Sequence, residues 1–429
     1  MTIYVVKPGD TIESIASEFG VDADRLVIEN QIPNPDNLVV GQSIIVQIPE
    51  VVHQIQAGDT LFSIANTYGV EPVQILQNNP FLAAEEVLEV GETIVISYVV
   101  DEEPLGEIII NGYAYTFIDR IVLRQTLPFL TYLSIFTYGF TAEGELIPAE
   151  NDDEIIAIAE EFGVAPLMVL APMTPDGNFN SDIAHNLFVN PEAQNILIDN
   201  ILTTLGEKGY NGVDIDFEFV LPEDAEAFFG FIQNMKNRLE PAGYLVTVAL
   251  APKTSAEQPG LLYEAHDYDR IGQIADLVLL MTYEWGYLFG PPMATGPISS
   301  IRQVLEYGVT AIAPDRILMG IPNYAYDWPL PFIRGQTQAE ALSNLEAIER
   351  AASFNVTIEF DEQAQAPYYY YTAENGVPHV VWFDDARSMD AKFRLVNEFG
   401  LAGVGYWQIM NFFPQSWIVA NTLYDIIKV

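Results

Sequence analysis

The 429-residue chain contains no cysteine. Disulfide staples, thiolate metal ligands and cysteine nucleophiles are excluded together. Basic residues are scarce: 17 Lys and Arg stand against 60 Asp and Glu, a formal net charge of −43. A nucleic-acid or anionic-membrane partner needs a cationic footprint that displaces counterions, and this composition does not supply one. The four histidines, His53, His185, His266 and His379, show no H-E-x-x-H or comparable spacing, so no metal and no cofactor is expected. Neither a Gly-rich phosphate loop nor a Gly-x-Ser-x-Gly elbow occurs. Apolar runs such as Leu277 to Met281 are far shorter than the ~20 residues that cross a bilayer. The N-terminus, Met1-Thr2-Ile3-Tyr4-Val5-Val6-Lys7-Pro8, lacks a cationic leader with an apolar core, so a cleavable secretion signal is not expected.

What is present is a globular composition. Hydrophobic residues make up 50% of the chain and aromatics 12%, too much for an acidic disordered chain. The acids are not a tail: residues 1–100 hold 14 of them with 2 basic residues, a density close to that of the remainder. The charge reads as a whole-surface property serving solubility.

A repeat organises the first hundred residues. Tyr4-Val5-Val6-Lys7-Pro8-Gly9-Asp10-Thr11 returns as His53-Gln54-Ile55-Gln56-Ala57-Gly58-Asp59-Thr60. Ser14-Ile15-Ala16, Phe19-Gly20-Val21 and Asn30 return as Ser63-Ile64-Ala65, Tyr68-Gly69-Val70 and Asn79, and Val40-Gly41-Gln42 as Val90-Gly91-Glu92. Gly supplies the turn, Asp or Thr caps the next helix, and the apolar positions fall on one helical face. Each copy resembles a LysM module. The resemblance implies a βααβ fold over residues 1–48 and 51–98 that binds N-acetylglucosamine polymers, in peptidoglycan or chitin. Gly9, Asp10, Thr11, Gly58, Asp59 and Thr60 would lie beside the sugar, although each of them also serves the turn itself. A charged Pro/Gly linker follows at residues 99–106. Deleting residues 1–100 is therefore expected to weaken binding to insoluble glycan and to spare cleavage of short soluble fragments.

Eight short apolar runs alternate with helical patterns from there on: Ile108 to Tyr113, Tyr132 to Tyr138, Leu167 to Ala171, Gly212 to Glu218, Leu245 to Ala251, Leu277 to Tyr283, Ile317 to Asn323 and Gly403 to Gln408. Eight βα units make an α/β chain with a (β/α)8 TIM barrel, here over residues 107–429. Start-to-start spacings run from 24 to 45 residues except the last, 86. A small α+β insertion is expected after strand 7, over residues 326–385, with a helix from Gln338 to Ala352 and a β-rich stretch from Val356 to Phe383. It would project from the C-terminal face, where barrel enzymes keep their sites, and wall one side of a cleft.

The fourth run carries the chemistry. Strand alternation puts Asp214, Asp216 and Glu218 on one face, with Val213, Ile215 and Phe217 on the other. Three carboxyls ~7 Å apart along a barrel interior resist full ionisation, so at least one keeps a proton near neutrality, as a general acid must. A structural acid ladder would cost several kcal/mol per unpaired carboxylate, and an oxygen-ligand Mg²⁺ or Ca²⁺ site is a further alternative. The segment is similar to the D-x-x-D-x-D-x-E signature of glycoside hydrolase family 18, with Asn211 in place of the first Asp. The resemblance implies a retaining, substrate-assisted glycosidase. Glu218 would protonate the leaving oxygen, Asp216 would orient the 2-acetamido group, and Asp214 would tune Asp216.

Met281-Thr282-Tyr283-Glu284-Trp285 resembles the family's M-x-Y-D motif, with Glu284 for Asp. Tyr283 would then hold the acetamido carbonyl. Trp407, in Gly405-Tyr406-Trp407-Gln408, matches the aromatic floor under the reacting sugar. Glu284, Trp285, Asn323 and Tyr324 are further candidates for substrate contact. LysM pairs ahead of such a barrel resemble the spore cortex-lytic glycosidases of the SleL/YaaH type. That implies a β-N-acetylglucosaminidase of cortex peptidoglycan acting at germination, located in the spore coat or cortex. The resemblance further implies a cortex glycan bearing muramic lactam, which lacks the lactyl carboxylate and would repel an acidic enzyme less. A chitinase and a non-hydrolytic glycan-binding coat protein are the alternatives. A monomer is expected, without nucleic-acid or membrane partners.

Overall fold

A computed structural model describes residues 1–84, 87–100, 102–174 and 177–429. Asp101, in the expected linker, lies outside them. The first repeat folds as strand Thr2–Val5, helices Ile12–Phe19 and Ala23–Asn30, and strand Ser43–Val46, the strands pairing antiparallel with Thr2 opposite Val46. The second uses Pro49–Gln54, Leu61–Tyr68, Pro72–Asn78 and Thr93–Tyr98, with a 3₁₀ turn at Pro80–Ala84. The repeated residues have matching local causes. Thr11 with Ser14, and Thr60 with Ser63, form capping boxes, and Gly20 and Gly69 end their helices at φ 69°. The Asn30 amide donates to the Leu26 and Ile45 carbonyls and accepts from the Ile45 N–H, and Asn79 does the same with Ile75 and Val95. Each Asn ties the second helix to the closing strand.

Eight parallel strands close the barrel: β1 (Glu107–Tyr115), β2 (Tyr132–Phe140), β3 (Ala165–Leu170), β4 (Gly212–Ile215), β5 (Leu245–Leu250), β6 (Leu277–Leu280), β7 (Ile317–Pro322) and β8 (Gly403–Trp407). β8 and β2 both pair with β1, which closes the ring. Alternate residues sort into two cores. Val213, Ile215, Val246, Val248, Val278 and Leu280 pack outward against the helices, while Tyr113, Leu167, Val169, Ala249, Leu279 and Leu318 fill the interior.

The insertion leaves the C-terminal end of β7. It is a five-stranded antiparallel sheet in the order Glu340–Leu342, Ala325–Pro329, Pro378–Trp382, Ala366–Thr372 and Glu359–Asp361, with helix Asn344–Ser353 on its core. The helix starts six residues later than the sequence pattern suggests. Glu340–Leu342 is drawn into the sheet beside Ala325–Asp327, and Ser343 with Glu346 forms the capping box that fixes the true start.

The repeats pack onto the barrel. Gln415, buried in helix Pro414–Leu423, donates to the Ser43 carbonyl at 2.8 Å and accepts from its hydroxyl at 3.0 Å. Ile45 belongs to the barrel's own outer core. Between the two repeats, Tyr98 donates to Glu29 at 2.6 Å and accepts from Arg25 at 3.0 Å, and Arg25 also pairs with Glu29.

Candidate active site

The β4 ladder ends at Ile215, so Asp216 and Glu218 stand just beyond it, at the C-terminal mouth. Parity nevertheless holds. Phe217 is fully buried among Phe140, Phe188, Phe228 and Phe231 on the helix side. Asp214 and Asp216 are buried on the opposite side, and Glu218 is partly exposed. Asn211 sits before β4 on the exposed floor, with its backbone between the Pro166 carbonyl and the Leu245 N–H. It is at the far end of the strand from Glu218, so its substitution leaves the mouth unaltered.

Asp214 is held by both oxygens: Tyr113 of β1 donates to one at 2.5 Å and Thr247 of β5 to the other at 2.5 Å. Burial still raises its pKa above the ordinary carboxylate range, against those two bonds. Asp216 is raised well above that range by burial, then by the charges of Glu218 and Asp214. Its Oδ1 is buried without a hydrogen-bond partner among the described residues. Glu218 is pushed up to about 7, first by burial and then by Glu284. Burial thus raises all three carboxyls above their ordinary range, and Glu218, at about 7, is the one poised to give and take a proton near neutrality.

Tyr283 follows β6, and burial and the charges of Asp216, Glu218, Glu284 and Asp214 hold its hydroxyl in the protonated form. Gly320 of β7 makes its place, since a Cβ there would lie 2.7 Å from the Tyr283 ring. Glu284 takes φ 65°, in the left-handed region, and accepts hydrogen bonds from Tyr324 and, at 3.1 Å, from Tyr326. A strained non-glycine residue at a barrel mouth is typical of functional positions. Trp407 closes the floor, with Phe136 at 5.1 Å, Tyr113 at 5.8 Å and Tyr115 at 6.1 Å between ring centroids. It also touches the insertion's Tyr324, Tyr326 and Trp328 cluster.

Not every candidate reaches this cluster. Asn323 is buried, and its amide donates to the Gln408 and Asn411 carbonyls, holding the chain after β8. Trp285 packs against the core between strands and helices. Asp10 accepts from the Tyr4 hydroxyl and the Lys7 N–H, and Asp59 from the Gln56 N–H while bonding His53, so both carboxylates stabilise their own turns. Gly9 and Gly58 supply positive φ, and Thr11 and Thr60 cap the helices. Sequence reasoning missed Tyr113, Thr247 and Tyr326. Thr247 lies directly beside Asp214 in the ladder, so inward parity on the neighbouring strand was the available signal. Among the described residues, no group of three or more acids and histidines is placed to hold a metal.

Comparison with known proteins decides the family. The model for glycosyl hydrolases family 18 matches residues 177–411, and the LysM domain matches residues 4–47 and 53–97. The chain belongs to glycosyl hydrolases family 18. It is 38% identical to a cortical fragment-lytic enzyme of Bacillus cereus across 99% of both chains. Two crystal structures of spore cortex-lytic enzymes SleL share the architecture. That from Bacillus megaterium has TM-score 0.83 and 39% identity over 100% of this chain and 99% of its own. That from Bacillus cereus has TM-score 0.84 and 38% identity over 100% and 98%. As a family 18 chain it is a glycosidase, and its LysM modules imply binding of glycans that contain N-acetylglucosamine.

Proposed function

We propose that this glycosidase cleaves β-1,4 bonds at N-acetylglucosamine in spore cortex peptidoglycan during germination, with retention and by substrate assistance, from a place in the spore coat or cortex. Glu218 gives its proton to the glycosidic oxygen as the bond to the anomeric carbon breaks. The acetamido carbonyl oxygen of the same sugar attacks that carbon and forms an oxazolinium-like ring. Asp216 orients the acetamido N–H, Asp214 shares a proton with Asp216, and Tyr283 donates to the carbonyl oxygen. Water then attacks the anomeric carbon as its bond to the acetamido oxygen breaks, which regenerates the acetamido group, and the water loses a proton to Glu218, restoring the acid. Trp407 offers a flat apolar surface to the sugar's C–H face.

The observation that carries this reading is the unpartnered, buried Oδ1 of Asp216 beside an acid at about 7. A buried polar atom without a partner is costly, and an acetamido N–H supplies the missing bond. The cortex assignment is supported by the near-full-length similarity to cortical fragment-lytic enzymes. Mass spectrometry of cortex digests provides the test. Wild type should release fragments with N-acetylglucosamine at the new reducing end, and a folded Glu218→Gln variant should release none. Turnover by that variant would overturn the assignment of the acid; faster cleavage of chitooligosaccharides than of cortex would overturn the substrate.

A further inference from the structure

The two LysM modules have the same fold but present different surfaces beside their Gly-Asp-Thr turns. In each, a loop before the closing strand flanks the turn: the Gly41 N–H donates to the Val6 carbonyl in the first module, and the Gly91 N–H to the Ile55 carbonyl in the second. In the first module this loop is taken by the catalytic domain. The Ile358 N–H of the insertion donates to the Val40 carbonyl at 2.9 Å, and Arg387 donates to the Gly41 carbonyl at 3.1 Å. Val39 is 4% exposed inside the insertion's own core. A Cβ at Gly41 would sit 1.9 Å from the Ile358 carbonyl oxygen, so glycine is the residue that permits this approach.

The second module's loop is open. Val90 is 67% exposed, and a Cβ at Gly91 would meet nothing within 4 Å. Just after the turn, in the first turn of the following helix, the second module carries Phe62, 70% exposed, where the first carries Glu13. An aromatic ring left in water next to a glycan-binding turn has a physical use: the C–H face of a hexosamine stacks on it. A carboxylate offers no such surface.

We propose that the modules divide the work: the second holds the N-acetylglucosamine polymer through Phe62 and the open Val90–Gly91 loop, while the first is a strut locked to the insertion of the catalytic domain. This deepens the proposed function and rests on its reading that the modules bind such polymers. The strut fixes the bearing of the second module relative to the cleft, so that capture and cleavage are geometrically linked.

The test is cosedimentation of the full-length chain with purified insoluble cortex peptidoglycan, in a Glu218→Gln background that prevents digestion. Phe62→Ala should weaken binding roughly fivefold to tenfold, the loss of one stacking contact, while Glu13→Ala leaves it unchanged. Glu13→Phe should also leave it unchanged, because an aromatic there gains no open loop to work with. Wild-type affinity in Phe62→Ala, or a severalfold gain in Glu13→Phe, would overturn the division. If the Glu218→Gln parent itself does not sediment with the polymer, the underlying reading of the modules fails instead. Phe62→Ala should keep the wild-type melting temperature, since the ring is 70% exposed; a marked fall there would show that the residue serves folding and overturn the proposal.

Discussion

At the scale of single residues, the pKa of about 7 for Glu218 makes a directional claim. In the proposed mechanism the acid form acts in the first step, so kcat should fall about tenfold per pH unit above ~7. Burial is the main cause and the charge of Glu284 the second, and the charge of Glu218 in turn raises Asp216. Glu284→Gln should therefore move the alkaline limb to lower pH, which a pH–rate profile on a soluble fragment measures. Beside this triad, His266 does a quieter job. It is buried, accepts the Ala251 N–H at Nδ1 and bonds the Phe217 carbonyl through Nε2 at 3.1 Å, pinning the peptide that leads into Glu218. His266→Leu should lower kcat on the order of tenfold with KM little changed, since positioning is lost and not binding. His266→Gln, which keeps one donor and one acceptor, should recover most of it. Burial pushes His266 down from 6.5 to about 4. The unfolded chain therefore takes up that proton first, and acidification from 6.5 towards 4 removes stability. Thermal melts across that window should show a shallower loss for His266→Gln than for wild type. The three acids were legible in the sequence because strand parity is local. His266 and Tyr113 were not, because their partners are 49 and 101 residues away.

At the scale of elements, the eight strands could be read from apolar runs because both faces of a barrel strand are buried. The insertion could be read only as an excess of spacing, and its helix start was misplaced because Glu340–Leu342 pairs with a strand that precedes it in the chain. What holds the insertion together is invisible to any local pattern. Asp327, fully buried, accepts from Tyr371 at 2.5 Å and bonds His379 at 2.7 Å, and it pairs with Arg350, which also reaches Glu340. Removing one member leaves the others charged or unpaired in the interior, at a cost of about 3–5 kcal/mol. Asp327→Ala should therefore unfold the insertion at lower urea, followed by near-ultraviolet circular dichroism of its tyrosines. Tyr324 and Tyr326 belong to the sheet side that faces Glu284. The same variant should then lose activity even where the barrel remains folded; full activity with a wild-type midpoint would contradict the network's role.

At the scale of the whole molecule, the modules are not beads on a linker. Ser43, Ile45 and Val39 are engaged by the barrel and its insertion, so deleting residues 1–100 would bare the faces around Gln415 and Ile358. The deletion should lower the melting temperature and soluble-fragment turnover together, unlike the separable behaviour that the charged linker suggests. The net charge of −43 acts on the same scale. Many of the few cations are already paired: Arg120 with Glu154, Arg302 with Glu398, Arg270 with Glu226 and Lys208 with Asp152. The outer surface therefore presents an excess of carboxylate to the substrate. An ordinary wall peptidoglycan is itself anionic and repels this surface over about 8–10 Å, the Debye length at 0.1–0.15 M salt. A glycan whose muramic residues are lactams lacks that carboxylate and repels it less. Initial rates on the two insoluble substrates as sodium chloride rises from 10 to 300 mM separate these terms. Screening should raise the rate on unmodified wall several-fold and leave the rate on cortex nearly flat, because only the first encounter is opposed by like charge. Equal salt responses would show that the acidic surface plays no part in choosing between the two glycans.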